Sequence, residues 1–181
     1  VANGTLEVYL RGAKMWPGDS YVHEERGDDY YLRTQGKQAV VKITYRYLDK
    51  LVVKGDEEVV FETPWKGTNL TLRSYGDNTI TIPEVQADRM KVSLYGDNTL
   101  TIKGGRVEKQ HYNIYGDSEV DVQAMEGYIA IANMFGDNEL QLHAKDELRV
   151  FGFGDFEILY RGNPLIRKSI SLGDYDIARI D

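Results

Sequence analysis

Two sets of residues in this chain are of types that could do chemistry. One is a column of acids, Asp56, Asp77, Asp97, Asp117, Asp137, Asp155 and Asp174, each directly after a glycine. Oxygen-rich columns of that kind suit a hard cation such as calcium. The other is a group inside one short stretch: Trp16, Tyr21, His23, Glu24, Asp28, Asp29, Tyr30 and Tyr31. Rings beside carboxylates and an imidazole suit a ligand or partner contact, or a metal-assisted site through His23 and the acids. Covalent catalysis is harder to build. His23, His111 and His143 fall in unrelated places, no Ser/His/Asp set is readable, and the cysteine count of 0 removes thiolate nucleophiles and thiolate metal sites.

The acids must be positioned by a repeat. The corner glycines are Gly55, Gly76, Gly96, Gly116, Gly136, Gly154 and Gly173, with spacings of 21, 20, 20, 20, 18 and 19 residues. Four residues after each glycine comes an aliphatic (Val59, Ile80, Leu100, Val120, Leu140, Ile158, Ile177), and the flanking runs alternate, as in Thr79-Ile80-Thr81-Ile82. Alternation marks a strand with one buried face. A unit of about twenty residues cannot bury its own apolar side, so the units must stack. The expected fold is all-β: a right-handed single-stranded β-helix of about seven coils, with a rod of roughly 30 Å through the repeats at ~4.8 Å per coil. A propeller blade needs about 40–45 residues, twice this period. Helix is nearly absent, with 107–110 the stretch able to carry a turn of it.

The repeat also defines its corners. Glycine supplies a positive φ at no steric cost, and the following Asp can accept from backbone N–H groups two residues on. Asn78, Asn98, Ser118 and Asn138 come next. Parity with Ile80 places Asn78 inward, in a ladder of side chains running up the coils. The Asp column is then either capped by backbone N–H groups or bridged by cations; backbone capping is the simpler account, since the repeated glycine-rich calcium-binding nonapeptide is missing. Before the glycines stand Tyr75, Tyr95, Tyr115, Phe135 and Phe153, outward by parity and stacked ~4.8 Å apart. Two readings stand: a sugar platform, or an aromatic ladder that fixes register. Rings that close show edges, not faces, to solvent, which favours the ladder.

Residues 11–38 break the pattern, between strands expected over 5–10 and 39–47. Within them 20–34 reads as a β-hairpin with its tip near Arg26-Gly27-Asp28. Such an insertion is either a contact region or a cap over the open end of the solenoid. With Lys+Arg 22 against Asp+Glu 29, the net charge of −7 argues against a general nucleic-acid surface. Asp121, Glu139 and Glu157 are expected outward as a solvated charged face, and Arg161, Arg167 and Lys168 protect the far end. The chain begins at Val1 and reads as a mature or trimmed product, so a missing leader does not imply the cytoplasm.

Repeated Gly-Asp corners, closed by Tyr160-Arg161-Gly162-Asn163-Pro164 and then Ser169-Ile170-Ser171-Leu172-Gly173-Asp174, resemble the putative auto-transporter adhesin head, or GIN domain, family (domain of unknown function 2807). The likeness covers roughly 39–181, with Gly4-Thr5-Leu6 as a preceding strand. It implies a right-handed β-helix in exported or lipid-anchored bacterial proteins, mostly of Bacteroidetes, and offers no catalytic residues. Two departures are the ring before most corner glycines, where the family has a small residue, and the insertion 11–38. The expectation is one β-helix domain over 1–181: a non-enzymatic cell-surface or periplasmic protein without cofactor. It would contact a surface glycan or protein, held near a membrane only through a segment outside this sequence, with self-association as a further mode. The rival is a polysaccharide-active enzyme, which would need a groove with paired carboxylates beside exposed ring faces.

Overall fold

The computed structural model describes residues 5–11, 13–14, 22–26, 29–35, 44–45 and 48–181; before Tyr45, and at Ile170 and Ser171, it describes the backbone. The described residues form strands and turns without helix, and the strands stack as a β-solenoid of about six turns. The expected count was seven. Seven corners bound six intervals, and the last corner opens a coil that has one strand, Tyr175–Arg179. The stretch 107–110 lies inside the strand Gly105–Tyr115, not in a helical turn.

Each coil contributes one strand to each of two sheets. The long sheet contains Lys50–Lys54, Trp65–Tyr75, Val85–Tyr95, Gly105–Tyr115, Met125–Phe135, Glu147–Phe153 and Leu165–Leu172, all parallel, with one register slip in the last pair. The short sheet contains Glu58–Val60, Thr79–Ile82, Thr99–Ile102, Ser118–Asp121, Asn138–His143, Phe156–Arg161 and Tyr175–Arg179. The insertion does not stand apart from this frame. Thr5–Arg11 pairs antiparallel with Lys50–Lys54, Asp29–Gln35 pairs with it in turn, and Val22–Arg26 closes the hairpin with Arg26 opposite Asp29. The expected hairpin is therefore present, and together with Thr5–Arg11 it extends the long sheet to ten strands. Thr5–Arg11 covers the edge that Lys50–Lys54 would otherwise leave unpaired, and the hairpin in turn covers Thr5–Arg11. Most of the expected strand over 39–47 lies outside the described residues; Thr44–Tyr45 pairs with Ala13–Lys14.

The inward residues of both sheets meet in one core. Leu72, Ile82, Val92, Leu100, Ile114, Val120, Leu142 and Ile158 are all buried there. Each such side chain stabilises the fold by about 1.5–3 kcal/mol through the water it gives up. At the N-terminal end Trp65 is fully buried, donates from Nε1 to the Leu48 carbonyl at 2.6 Å, and stacks on Phe61 at 5.3 Å. Gln110 is a fully buried amide in the middle coils, away from the glycine corners. It accepts from the Tyr112 hydroxyl at 2.6 Å and donates to the His143 carbonyl at 3.1 Å. Gly127 leaves it room, since a Cβ there would sit 1.6 Å from Gln110 Nε2. Burial without a nearby positive charge pushes the Tyr112 hydroxyl well above the usual tyrosine range.

The long strands bend at one place in four consecutive coils. Ala87 pairs with Gly67 and Val107, and Arg89 with Asn69 and Lys109, while the residue between, Asp88, drops out of the pairing. The alternation slips there: Thr68 and Asn69 are both exposed, as are Asp88 and Arg89. That bend makes a third corner, and it needs no glycine.

Candidate functional site: corners, ladder and outer face

The seven corner glycines all have positive φ, from 104° at Gly96 and Gly136 to 130° at Gly55. Gly96 shows why no side chain fits. A Cβ would lie 2.6 Å from the Gly76 carbonyl oxygen of the coil below, in a backbone conformation that already penalises any L residue. The coils also bond through this corner: the N–H of Gly76 donates to the Tyr95 carbonyl, and that of Gly96 to the Tyr115 carbonyl, each at 2.9 Å.

The residue that caps the corner is not the aspartate. Asp56, Asp77, Asp97, Asp117, Asp137, Asp155 and Asp174 are all exposed. Among them Asp155 alone uses its side chain on backbone, and it accepts from the N–H of Asp174 in the next coil at 3.3 Å, not from two residues on. The capping belongs to the next position, where Asn78, Asn98, Ser118 and Asn138 point inward as parity predicts. Asn78 Oδ1 accepts from the Glu57 N–H at 3.0 Å, Ser118 Oγ from the Asn98 N–H at 3.3 Å, and Asn138 Oδ1 from the Ser118 N–H at 3.1 Å. The ladder is complete only in its first coil. There Asn78 Nδ2 donates to Ser74 Oγ at 2.9 Å. Leu94 and Met134 take the place of Ser74 further along, and the Nδ2 groups of Asn98 and Asn138 are buried without partners. Among the described residues no three His, Asp or Glu side chains converge closely enough to hold a metal ion.

The aromatic column is a ladder of closed rings. Tyr75 and Tyr95 stack at 4.8 Å with planes 3° apart, Tyr95 and Tyr115 at 5.0 Å and 2°, and Tyr115 and Phe135 at 4.6 Å and 5°. The stack opens at Phe153, 6.1 Å from Phe135, where Phe151 meets both rings edge-on. Tyr95 and Tyr115 are each 37 % exposed, through their edges. A sugar ring lying flat against these tyrosines would find no face to lie on.

Inward of this ladder, the outer face of the long sheet carries a field of polar residues that single-repeat reading did not assemble. The rows across the coils run Arg73-Ser93-Asn113-Asn133, Thr71-Lys91-His111-Ile131 and Asn69-Arg89-Lys109-Ile129. Asn133 Nδ2 donates to Asn113 Oδ1 at 2.8 Å and stands 3.0 Å from His111 Nε2. Burial, and then the charges of Lys91 and Lys109, hold His111 below the usual histidine range. The ring is therefore neutral near pH 7, and Nε2 accepts from that amide. At the bend these rows open into a shallow depression of 680 Å³, lined by Arg89, Arg106 and Lys109 with Asp88, Glu108 and Tyr128. The face of Tyr128 is already occupied: Arg106 lies 5.0 Å and Lys145 5.4 Å from the ring centroid, and Arg106 donates to the Tyr128 hydroxyl at 2.8 Å.

The opposite surface has the opposite sign. On the short sheet Glu119, Glu139, Glu157 and Asp176 stand in register in four consecutive coils. Gln141 donates to Glu139 at 2.6 Å and relieves part of that repulsion. At the far end Arg167 pairs with Glu147 at 2.6 Å and Lys168 lies 5.6 Å over the Tyr175 ring. Of the residues expected in the insertion, Trp16, Tyr21 and Asp28 lie outside the described residues. His23, Glu24, Asp29, Tyr30 and Tyr31 fall on the two hairpin strands of the long sheet.

The architecture is thus a parallel β-solenoid with Gly-Asp corners and polar residues spread over the outer face of its long sheet. The chain belongs to the family described as putative auto-transporter adhesin, head GIN domain, whose model matches residues 1–164. Three solved structures share the fold. A putative adhesin from Parabacteroides merdae is 16 % identical with a TM-score of 0.65, over 90 % of this chain and 78 % of that one. A putative adhesin from Bacteroides fragilis is 16 % identical with a TM-score of 0.63, over 88 % and 76 %. A putative lipid binding protein from Parabacteroides distasonis is 19 % identical with a TM-score of 0.61, over 78 % of this chain and 65 % of that one. Among curated proteins none matches.

Proposed function

We propose that this chain is a non-enzymatic binding module of an exported bacterial protein, acting at the cell surface or in the periplasm, and that it presents the outer face of its long sheet to a surface glycan or protein. The observation that carries this reading is the continuity of that sheet. One face runs without a break from Leu165–Leu172 through the coils to the hairpin strand Val22–Arg26. The hairpin and the repeats are thus parts of one platform, and Trp16, Tyr21, His23, Glu24, Asp28, Asp29, Tyr30 and Tyr31 are proposed to border it. Family membership and the adhesin-type neighbours support the same reading.

The test is binding of the purified chain to an array of glycans and matrix proteins, beside a variant with three alanines at Tyr30, Tyr31 and His23 and a variant Lys91→Ser. The reading expects selective binding that at least one variant weakens. An array without any selective spot, or binding that neither variant touches, would remove it. The enzymatic alternative is settled by incubating the protein with polysaccharides and following new reducing ends or unsaturated products. Turnover lost in Asp88→Asn or Glu108→Gln would overturn the non-enzymatic assignment, since those two carboxylates line the depression.

A further inference from the structure

We propose that the outer face of the long sheet, over the strands Trp65–Tyr75, Val85–Tyr95 and Gly105–Tyr115, binds an acidic polysaccharide through carboxylate or sulfate groups on its sugars. The proposal rests on the binding role above and names its ligand class. Arg73, Arg89, Lys91 and Lys109 stand outward on three adjacent strands. Register puts Lys109 beside Arg89, and Lys91 in the neighbouring row two residues along. Their spacing is ~4.8 Å across coils and ~6.6 Å along a strand. Among the described residues, no carboxylate, ring or hydrogen-bond acceptor of the chain pairs with any of these four.

Other cations of the chain are matched: Arg149 and Arg167 with Glu147, Lys145 with Glu126, Arg106 with the Tyr128 ring. The chain is acidic overall, with a net charge of −7, so carboxylates to neutralise the four are plentiful in the sequence. Four of them form the in-register row Glu119, Glu139, Glu157 and Asp176 on the other sheet, and Asp88 and Glu108 stand at the bend, at the border of the patch. Like charges this close repel by about 1 kcal/mol per pair even with water-like screening. His111 pairs with Lys91 across the coils and stands two residues from Lys109; burial first, and then these two charges, hold it below the usual histidine range. A cluster of one sign, none of whose four cations is ion-paired among the described residues, is a surface for a ligand of the other sign.

The border of the patch selects the kind of polyanion. The tyrosine ladder closes its rings face to face at 4.8 and 5.0 Å, so a base finds no open face to stack on, as a single-stranded nucleic acid would require. What the ladder offers is a row of ring edges and hydroxyls, suited to the hydroxyl groups of a sugar chain. Asp88 and Glu108 at the bend repel a uniformly charged strand there while accepting from sugar hydroxyls. A chain with charged groups at intervals and hydroxyls between them fits both borders. A nucleic acid, charged at every residue, fits neither.

The experiment is titration calorimetry with heparin, polygalacturonate, dextran and oligo-dT, at low salt and again at 0.3 M salt. The expected result is salt-dependent binding of heparin or polygalacturonate and no binding of dextran. The double variant K91S/K109S should weaken it at least tenfold, whereas K103S, which removes one positive charge from an exposed corner, should change it less than twofold. In the wild type the bound polyanion should also raise the apparent pKa of His111, read by NMR. Absence of binding to both acidic polysaccharides at low salt, equal effects of K91S/K109S and K103S, or tighter binding of oligo-dT than of either polysaccharide would each overturn the proposal. Selective binding of neutral glycans or proteins on the array would leave the wider binding role intact while rejecting this ligand class; a blank array would reject both.

Discussion

The N–H of Ser118 donates to Asn138 Oδ1, 3.1 Å away in the next coil, while Asp117, one residue earlier, faces solvent. Two neighbouring corner positions thus have separate roles. Asn138→Ala should leave a buried donor without its acceptor and cost about 1–3 kcal/mol. Asp117→Asn should leave the midpoint of urea unfolding unchanged. Equal losses in the two variants would show that the exposed acid also braces the corner.

The glycine of the corner should be far less replaceable than either. Gly96→Ala places a Cβ against the Gly76 carbonyl in a positive-φ backbone. Such strain costs on the order of 1–3 kcal/mol before the clash is counted. The expected result is a large fall in the unfolding midpoint, with Asp97→Ala in the same assay as the mild comparison.

The tyrosine ladder should contribute to stability whether or not it touches a ligand. Tyr95 stacks on both sides, on Tyr75 and on Tyr115. At about 0.5–1.5 kcal/mol per aromatic pair, Tyr95→Ser should lose more than Tyr75→Ser, because it breaks two stacks instead of one. Denaturant unfolding with a double-mutant cycle between Tyr95 and Tyr115 would measure the coupling.

Acid should weaken the fold through its histidines. Burial leads in lowering both His111 and His143, with lysine charges adding at each, while Glu126 partly opposes the shift at His143. A histidine whose folded pKa lies below its unfolded value binds its proton more readily in the unfolded chain. Its contribution is therefore complete above the unfolded value of about 6.5 and is lost as pH falls below it. Thermal unfolding between pH 7.5 and 5 should show a falling midpoint, and His111→Gln should flatten that slope.

Much of the frame was legible because a solenoid writes its geometry into one period. Gly55 to Gly173 gave the coil spacing, the parity of Ile80 placed Asn78 inside, and ring stacking followed from one aromatic per coil. The aspartates were misread because the same parity that turns Asn78 inward turns Asp77 out, away from the N–H groups it was expected to cap. The bend at Asp88 was invisible: it has no glycine or proline, only a slip in alternation between two polar residues. The basic field was hidden for a different reason. Arg73, Lys91 and Lys109 lie in three different repeats and become neighbours only through register. The signal existed in the columns: five residues before successive corner glycines stand Thr71, Lys91, His111, Ile131 and Arg149. The insertion was placed correctly as a hairpin, yet nothing in its own sequence says that its strands would join the long sheet edge.

The backbone hydrogen bonds of both sheets run from coil to coil, along the rod. A tug between the two ends therefore loads each coil–coil seam in series, and the molecule yields at its weakest seam. Along most of the rod the seams are alike, with unbroken register and closed rings. At Glu147–Phe153 against Leu165–Leu172 the register slips between Val150 and Gly152, and Leu165 and Leu172 are 59 % and 61 % exposed. Under such a load this seam is the first to part, and the coils carrying the basic field are the part that stays wound.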